Sequence, residues 1–357
     1  MLNHKTVGSK GRDSRQERVK DRDLSFDFAK GVLIILVIVG HLLQYVVYRG
    51  TDAFWLSPYF KLIYMFHMPL FMAISGYLSS GAILRKSFRQ GVSDRAMQLV
   101  LPMLFWCALI WISKAAVMSS ANSLTSGMLD FFREFIGTYW FIWADFASFV
   151  LIKLLTTFNG SSVWIIGASA IAIAIAPVPW SITPLVRYTY PFFCLGFLFA
   201  QPIGWQAASI RRHKVIFVVL LSMAAFMCFL VWGKETYVYN NLVLIYDAQS
   251  DKQVLLMFAG SVATSAVAMQ LIFLCWRVGY STRVARFVAV ELGQSTLLLY
   301  LLQGAVFRFM DLIPFGELWD LTSRIEFATL LGAAIAVTAM TIRRIVRHLG
   351  YVSRSYA

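Results

Sequence analysis

The chain has 357 residues, 59% of them hydrophobic and 14% charged, with a mean hydropathy of +0.67. A soluble domain carries about a quarter charged residues, so the composition excludes an ordinary soluble enzyme and indicates a membrane protein. The net charge of +14 does not indicate nucleic acid, because the basic residues lie between apolar runs, where they set topology and meet anionic lipid headgroups.

Residues 1–26 are polar and basic (Lys5, Lys10, Arg12, Arg15, Arg18, Lys20, Arg22), without apolar periodicity, and read as a flexible cytoplasmic arm. The first apolar run is too long for the core of a cleavable signal peptide, so no cleaved leader is expected. Ten apolar stretches follow, at roughly 28–48, 59–80, 97–118, 138–158, 162–179, 185–203, 215–233, 254–276, 287–309 and 325–344. Each is near the length that crosses about 30 Å of hydrocarbon. Pro177, Pro179, Pro184 and Pro191 blur the ends of the middle ones. The expected fold is all-α and polytopic, with about ten transmembrane helices.

Charge asymmetry orients it. With the N-terminus inside, the inner loops hold Arg85, Lys86, Arg89 and Arg95, then Arg211, Arg212 and Lys214, then Arg277, Arg283 and Arg286. The tail adds Arg343, Arg344, Arg347 and Arg354, while Asp130, Glu134, Glu235, Asp247, Asp251, Asp311, Glu317 and Asp320 fall outside. Both termini are therefore expected in the cytoplasm. No internal repeat is visible, which leaves one integral domain, 27–345, between the arm and a basic tail, 346–357.

The first span reads DFAKGVLIILVIVGHLLQ from Asp27. Lys30 and His41 are eleven residues apart, three helical turns plus roughly 20°, so they share one face about 16 Å apart along the axis. Ionisable groups are costly in lipid, and this face is a candidate catalytic stripe. Lys30 and Asp27 read either as a snorkelling i,i+3 pair or as a cation for the phosphates of a cytoplasmic donor. His67, in YMFHMPLFMAISGYL, is expected at a depth similar to that of His41, about 10–12 Å below the outer surface. Each histidine could instead supply one interhelical hydrogen bond.

Tyr139, Trp140 and Trp143 fit an interfacial belt and could also stack on sugar rings. Asp145, inside the fourth span, is a candidate partner for a histidine or a substrate hydroxyl. Arg187, Glu291 and Arg308 are weaker candidates near span ends. Cys107, Cys194, Cys228 and Cys275 fall in apolar segments without a CxxC pair, so neither a disulfide framework nor a metal site is indicated. No GxSxG or Walker A motif occurs.

DFAKGVLIILVIVGH, FHMPLFMAISGYL, the basic loop ending DRAMQLVLP, YWFIWADF and GQSTLLLYLLQ resemble the integral membrane acyltransferase 3 family. The FHMPLF and YWFIWA signatures are similar to its fucose O-acetylase-like branch, and to acetyltransferases that decorate exopolysaccharide repeat units, as in xanthan assembly. The similarity runs from about residue 23 to 345. It implies acetyl-CoA as cytoplasmic donor and a sugar hydroxyl as outer acceptor, on an exopolysaccharide or its lipid-linked repeat unit. The family's first-span histidine falls on His41, and its basic residue eleven positions earlier falls on Lys30. Its paired-arginine motif falls on Arg95, with Gln98 at the second position, and its late motif, often ending in histidine, ends in Gln303.

The combined expectation is an O-acetyltransferase of the bacterial inner membrane. Donor phosphates would meet Lys30, Arg95 and Arg89, with Asp27 positioning Lys30. His41 would act as base or acyl carrier, His67 or Asp145 would orient the acceptor, and Tyr139, Trp140 and Trp143 would bind it. Its partners would be the bilayer, the glycan and possible polysaccharide-assembly proteins. Two competing readings are a flippase for lipid-linked sugars and a structural subunit of an export assembly.

Overall fold

The computed structural model describes residues 23–118, 124–176, 178, 181–201, 214–240, 247–310 and 319–355. The basic arm up to Arg22, Arg211 and Arg212, Asp311 and Glu317, and Pro177 and Pro179 lie outside the described residues. Among the described residues every regular element is helical. In chain order the α-helices are α1 (Leu24–Leu42), α2 (Pro58–Arg85), α3 (Phe88–Met118), α4 (Leu124–Gly137), α5 (Trp140–Asn159) and α6 (Val163–Ile175). They continue with α7 (Thr183–Phe199), α8 (Lys214–Val231), α9 (Ala248–Gly279), α10 (Arg283–Phe287), α11 (Thr296–Met310) and α12 (Leu321–Ser355).

Among the described residues, seven helices are long and apolar enough to cross a membrane by length and composition, and the stretch at 185–203 holds the 17-residue helix α7. The stretches at 162–179 and 215–233 form shorter apolar helices. Two features depart from the sequence expectation. The amphipathic helix α4 was not among the ten stretches; Phe131 and Phe135 lay its apolar side on Trp111 of α3 and Trp143 of α5. The stretch at 287–309 is broken between α10 and α11 by a π-helical turn (Val288–Leu292) and a 3-10 turn (Gly293–Ser295).

A helix apolar around its whole circumference belongs inside a bundle, and α1 packs against α2, α9, α11, α12 and the broken segment. It begins where Asp23 accepts a hydrogen bond from the Ser25 amide at 2.9 Å, and it runs on into a π-helical turn, Leu43–Val47. The α2–α7 crossing is so close that a Cβ on Gly196 would lie 1.8 Å from the carbonyl oxygen of Ala73. Lipid is as apolar as leucine, so close packing of this kind, rather than water exclusion, holds helices together in a bilayer. The outer helices show the converse pattern. Val215, Leu220, Met223, Phe226 and Leu230 of α8 are exposed large apolar groups, as a lipid-facing surface requires.

Candidate functional site

The broken segment fixes the Lys30 end of α1. A Cβ on Gly293 would lie 1.8 Å from the Asp27 carbonyl oxygen, so only glycine lets the two backbones meet. Asp27 is buried and its carboxylate takes Lys30 Nζ at 2.8 Å. Its other oxygen faces Gln294 Nε2 at 3.4 Å, and Arg343 of α12 donates to Gln294 Oε1 at 2.7 Å. Arg343 also donates to the carbonyls of Val290 and Glu291 and to Ser295 Oγ, satisfying groups that the irregular turns leave open. Lys30 is thus held by a network reaching across three elements. Gln294 and Arg343 were missed as site residues, although Gln294 lies in the GQS motif.

Lys30 lines a cavity of about 330 Å³ whose polar wall includes Ser75, Lys86, Asp94, Arg95, Gln98 and Asp145. Arg95 Nη2 meets Asp145 Oδ2 at 2.5 Å and Ser75 Oγ at 2.9 Å, and Ser75 Oγ donates to Asp145 Oδ1 at 2.5 Å. Asp145 therefore sits beside Arg95, not beside a histidine. It lies more than one turn along α5 from Trp140, on the side facing α2 and α3. The Nε–H of Arg95 is buried without a hydrogen-bond partner, a donor left over in a pocket whose cations Lys30, Lys86 and Arg95 pair with Asp27, Asp94 and Asp145. Arg89 is exposed and does not line the cavity.

His41 lines a second cavity, also about 330 Å³, toward the other end of α1. Its walls include Gln44, Thr138, Arg308 and the rings of Tyr64, Trp140, Tyr239 and Phe307. The imidazole lies edge-on to Phe307 with centroids 5.7 Å apart and tilted to Tyr45 at 5.8 Å. Tyr300 is in the walls of both cavities. His67 is placed one layer behind: its Nδ1 hydrogen-bonds the Ile63 carbonyl at 2.8 Å, and Tyr64, Trp140 and Tyr239 border both its small hollow and the His41 cavity.

Of the three outer aromatics, Trp140 lines the His41 cavity. Tyr139 is fully buried and donates to the Leu301 carbonyl at 2.8 Å, and Trp143 donates to the Phe135 carbonyl at 2.9 Å. Both join helices to one another. At the rim, Glu134 of α4 collects Lys114, Arg308 at 3.3 Å and Thr138 at 2.5 Å. Burial pushes the Glu134 carboxyl up, but hydrogen bonds from Lys114 and Thr138 with the charges of Arg308 and Lys114 hold it below the usual range. Among the described residues, no group of three or more His, Cys, Asp or Glu gathers as a metal site would need.

A cation-lined pocket and an imidazole in an aromatic pocket, with Tyr300 in both walls, can hold an anionic donor and a hydroxyl acceptor close together. The family described as acyltransferase domain matches residues 23–343. The chain is 73% identical over 354 residues to a protein of Mesorhizobium japonicum named nodulation protein NolL, covering 99% of this chain and 95% of that one. It is 63% identical over 343 residues to a protein of the same name from Sinorhizobium fredii, covering 96% and 94%. No solved structure matches. The chain belongs to the membrane-embedded acyltransferase 3 family and is an acyltransferase, as its motifs imply.

Proposed function

We propose that this protein moves an acetyl group from cytoplasmic acetyl-CoA to a sugar hydroxyl on a glycan at the opposite face of the bacterial inner membrane. The observation that carries the reading is the pair of cavities on α1, one cationic and one holding His41, with Tyr300 in both walls. The Lys30 cavity suits the donor: Lys30, Lys86 and Arg95 offer charge to phosphates, and the apolar inner part suits an acyl thioester. The His41 cavity suits the acceptor, since its rings can stack on a pyranose while Gln44, Thr138 and Arg308 meet hydroxyls. All ten helical stretches cross the membrane in this reading, with both termini in the cytoplasm.

His41 takes the proton of the acceptor hydroxyl. The oxygen then attacks the thioester carbonyl carbon, the carbon–sulfur bond breaks, and the CoA thiolate leaves and is protonated. Imidazole suits this role because one ring nitrogen can take up a proton while the other is held by its surroundings. Lys30 and Arg95 bind the donor, and Asp27 and Asp145 hold those cations in place. Because both relatives are named nodulation proteins, the acceptor is proposed to be a secreted or lipid-linked glycan that serves nodulation.

The test is proton NMR of the host's surface and secreted glycans, beside transfer of labelled acetyl from acetyl-CoA in membranes. With His41→Ala we expect transfer to fall about 10²–10⁴-fold, with an O-acetyl signal lost and glycan length unchanged. Full transfer by that variant would overturn the mechanism. Unchanged acetylation with reduced glycan export would favour a flippase instead.

A further inference from the structure

We propose that Gln303 is a positioning residue that sets the tautomer and orientation of His41. This rests on the reading of His41 as the base. Gln303 lies on α11 one turn before Phe307, whose ring packs against the imidazole, so it shares the face of α11 that is turned toward His41. It is 1% exposed. Both amide atoms of Gln303 and the Nδ1 of His41 are buried without a hydrogen-bond partner. Three unpartnered polar atoms where α1 and α11 pack together are costly, because each has given up water without replacement. A leucine of similar size would fill the same place between apolar neighbours at no such cost.

A glutamine amide can accept through Oε1 or donate through Nε2, but only the accepting orientation serves a base, because the imidazolium formed on proton uptake carries N–H on both nitrogens. With the proton on Nδ1, the ring donates to Gln303 Oε1, and the Nε2 lone pair is left to receive the substrate proton. Which nitrogen of a histidine is protonated is set by the hydrogen bond the other makes. In the opposite tautomer Nδ1 carries the lone pair and the base is lost to the substrate. The amide therefore acts on the reaction through His41 without touching a reacting atom.

The experiment uses the full chain in nanodiscs as wild type, Gln303→Leu and Gln303→Glu. For Gln303→Leu we expect a higher thermal-unfolding midpoint together with a kcat at least ~10-fold lower and KM for both substrates within about twofold. Gln303→Glu keeps an acceptor oxygen and is expected to recover most of the rate. Nitrogen-15 NMR of labelled histidine, with His41→Gln to assign the signal, should show His41 protonated at Nδ1 in the wild type and a mixture in Gln303→Leu. A wild-type kcat in Gln303→Leu, or an unchanged tautomer, overturns the inference. Absence of acetyl transfer by the wild type would instead sink the functional reading, and the tautomer measurement would still decide the role of Gln303.

Discussion

At the scale of single residues, charged side chains of the Lys30 cavity are fixed by neighbours on other helices, Arg95 by Ser75 and Asp145 among them. Lys30 and His41 could be placed on one face because helical periodicity and residue spacing determine it. Asp145 could be recognised as an expensive carboxylate inside a span, but its partners Ser75 and Arg95 come from two other helices. Which way each of those helices turns about its axis is decided by packing, and a local pattern does not contain it. The pairing leads to a prediction. Asp145 is buried and Arg95 part-buried, so Asp145→Ala leaves the guanidinium and Ser75 without their acceptor and should destabilise the protein by about 1–3 kcal/mol. Replacing both with apolar residues of similar volume should recover most of that loss. Thermal-unfolding midpoints in detergent measure it, and an unchanged midpoint for Asp145→Ala would show the pair to be slack.

At the scale of elements, the seven long apolar helices among the described residues were readable because each is long and uniform. The break from Val288 to Ser295 was not, since an apolar run of this length reads as one continuous helix. Its cause is tertiary: α1 approaches so closely that a regular helix with side chains would not fit, and Arg343 from α12 satisfies the freed carbonyls. The amphipathic α4 escaped for the opposite reason, its apolar face being too narrow to read as a span. Because the break carries Gly293 and Gln294 to Asp27, Gly293→Ala should push the segment off α1 and release Lys30. We expect the KM for the acyl donor to rise several-fold while the acceptor KM stays close to wild type. Steady-state kinetics varying each substrate in turn would decide this, and equal changes in both would count against a local effect.

At the scale of the whole molecule, two cavities stand on either side of Tyr300, and their being back to back was invisible in the sequence. Their linings come from α1, α2, α3, α5 and α11 together, so no single motif announces either one. If Tyr300 is the partition, Tyr300→Ala should join them. A cysteine placed at Leu78, in the Lys30 cavity, should then react with a membrane-impermeant thiol reagent added to the His41 side. In the wild-type background it should react only from the Lys30 side. Labelling from both sides without the Tyr300 change would mean that the cavities already communicate.

The partition has a further consequence for the cell that houses the protein. A membrane that stores energy as an ion gradient cannot tolerate a water-filled passage wide enough for a coenzyme or a sugar. In the proposed reaction, with Tyr300 between the two cavities, neither large molecule would have to cross, and only the acyl fragment would exchange partners. Under that proposal, acyl groups made on one side would reach glycans on the other while the bilayer keeps its electrical resistance.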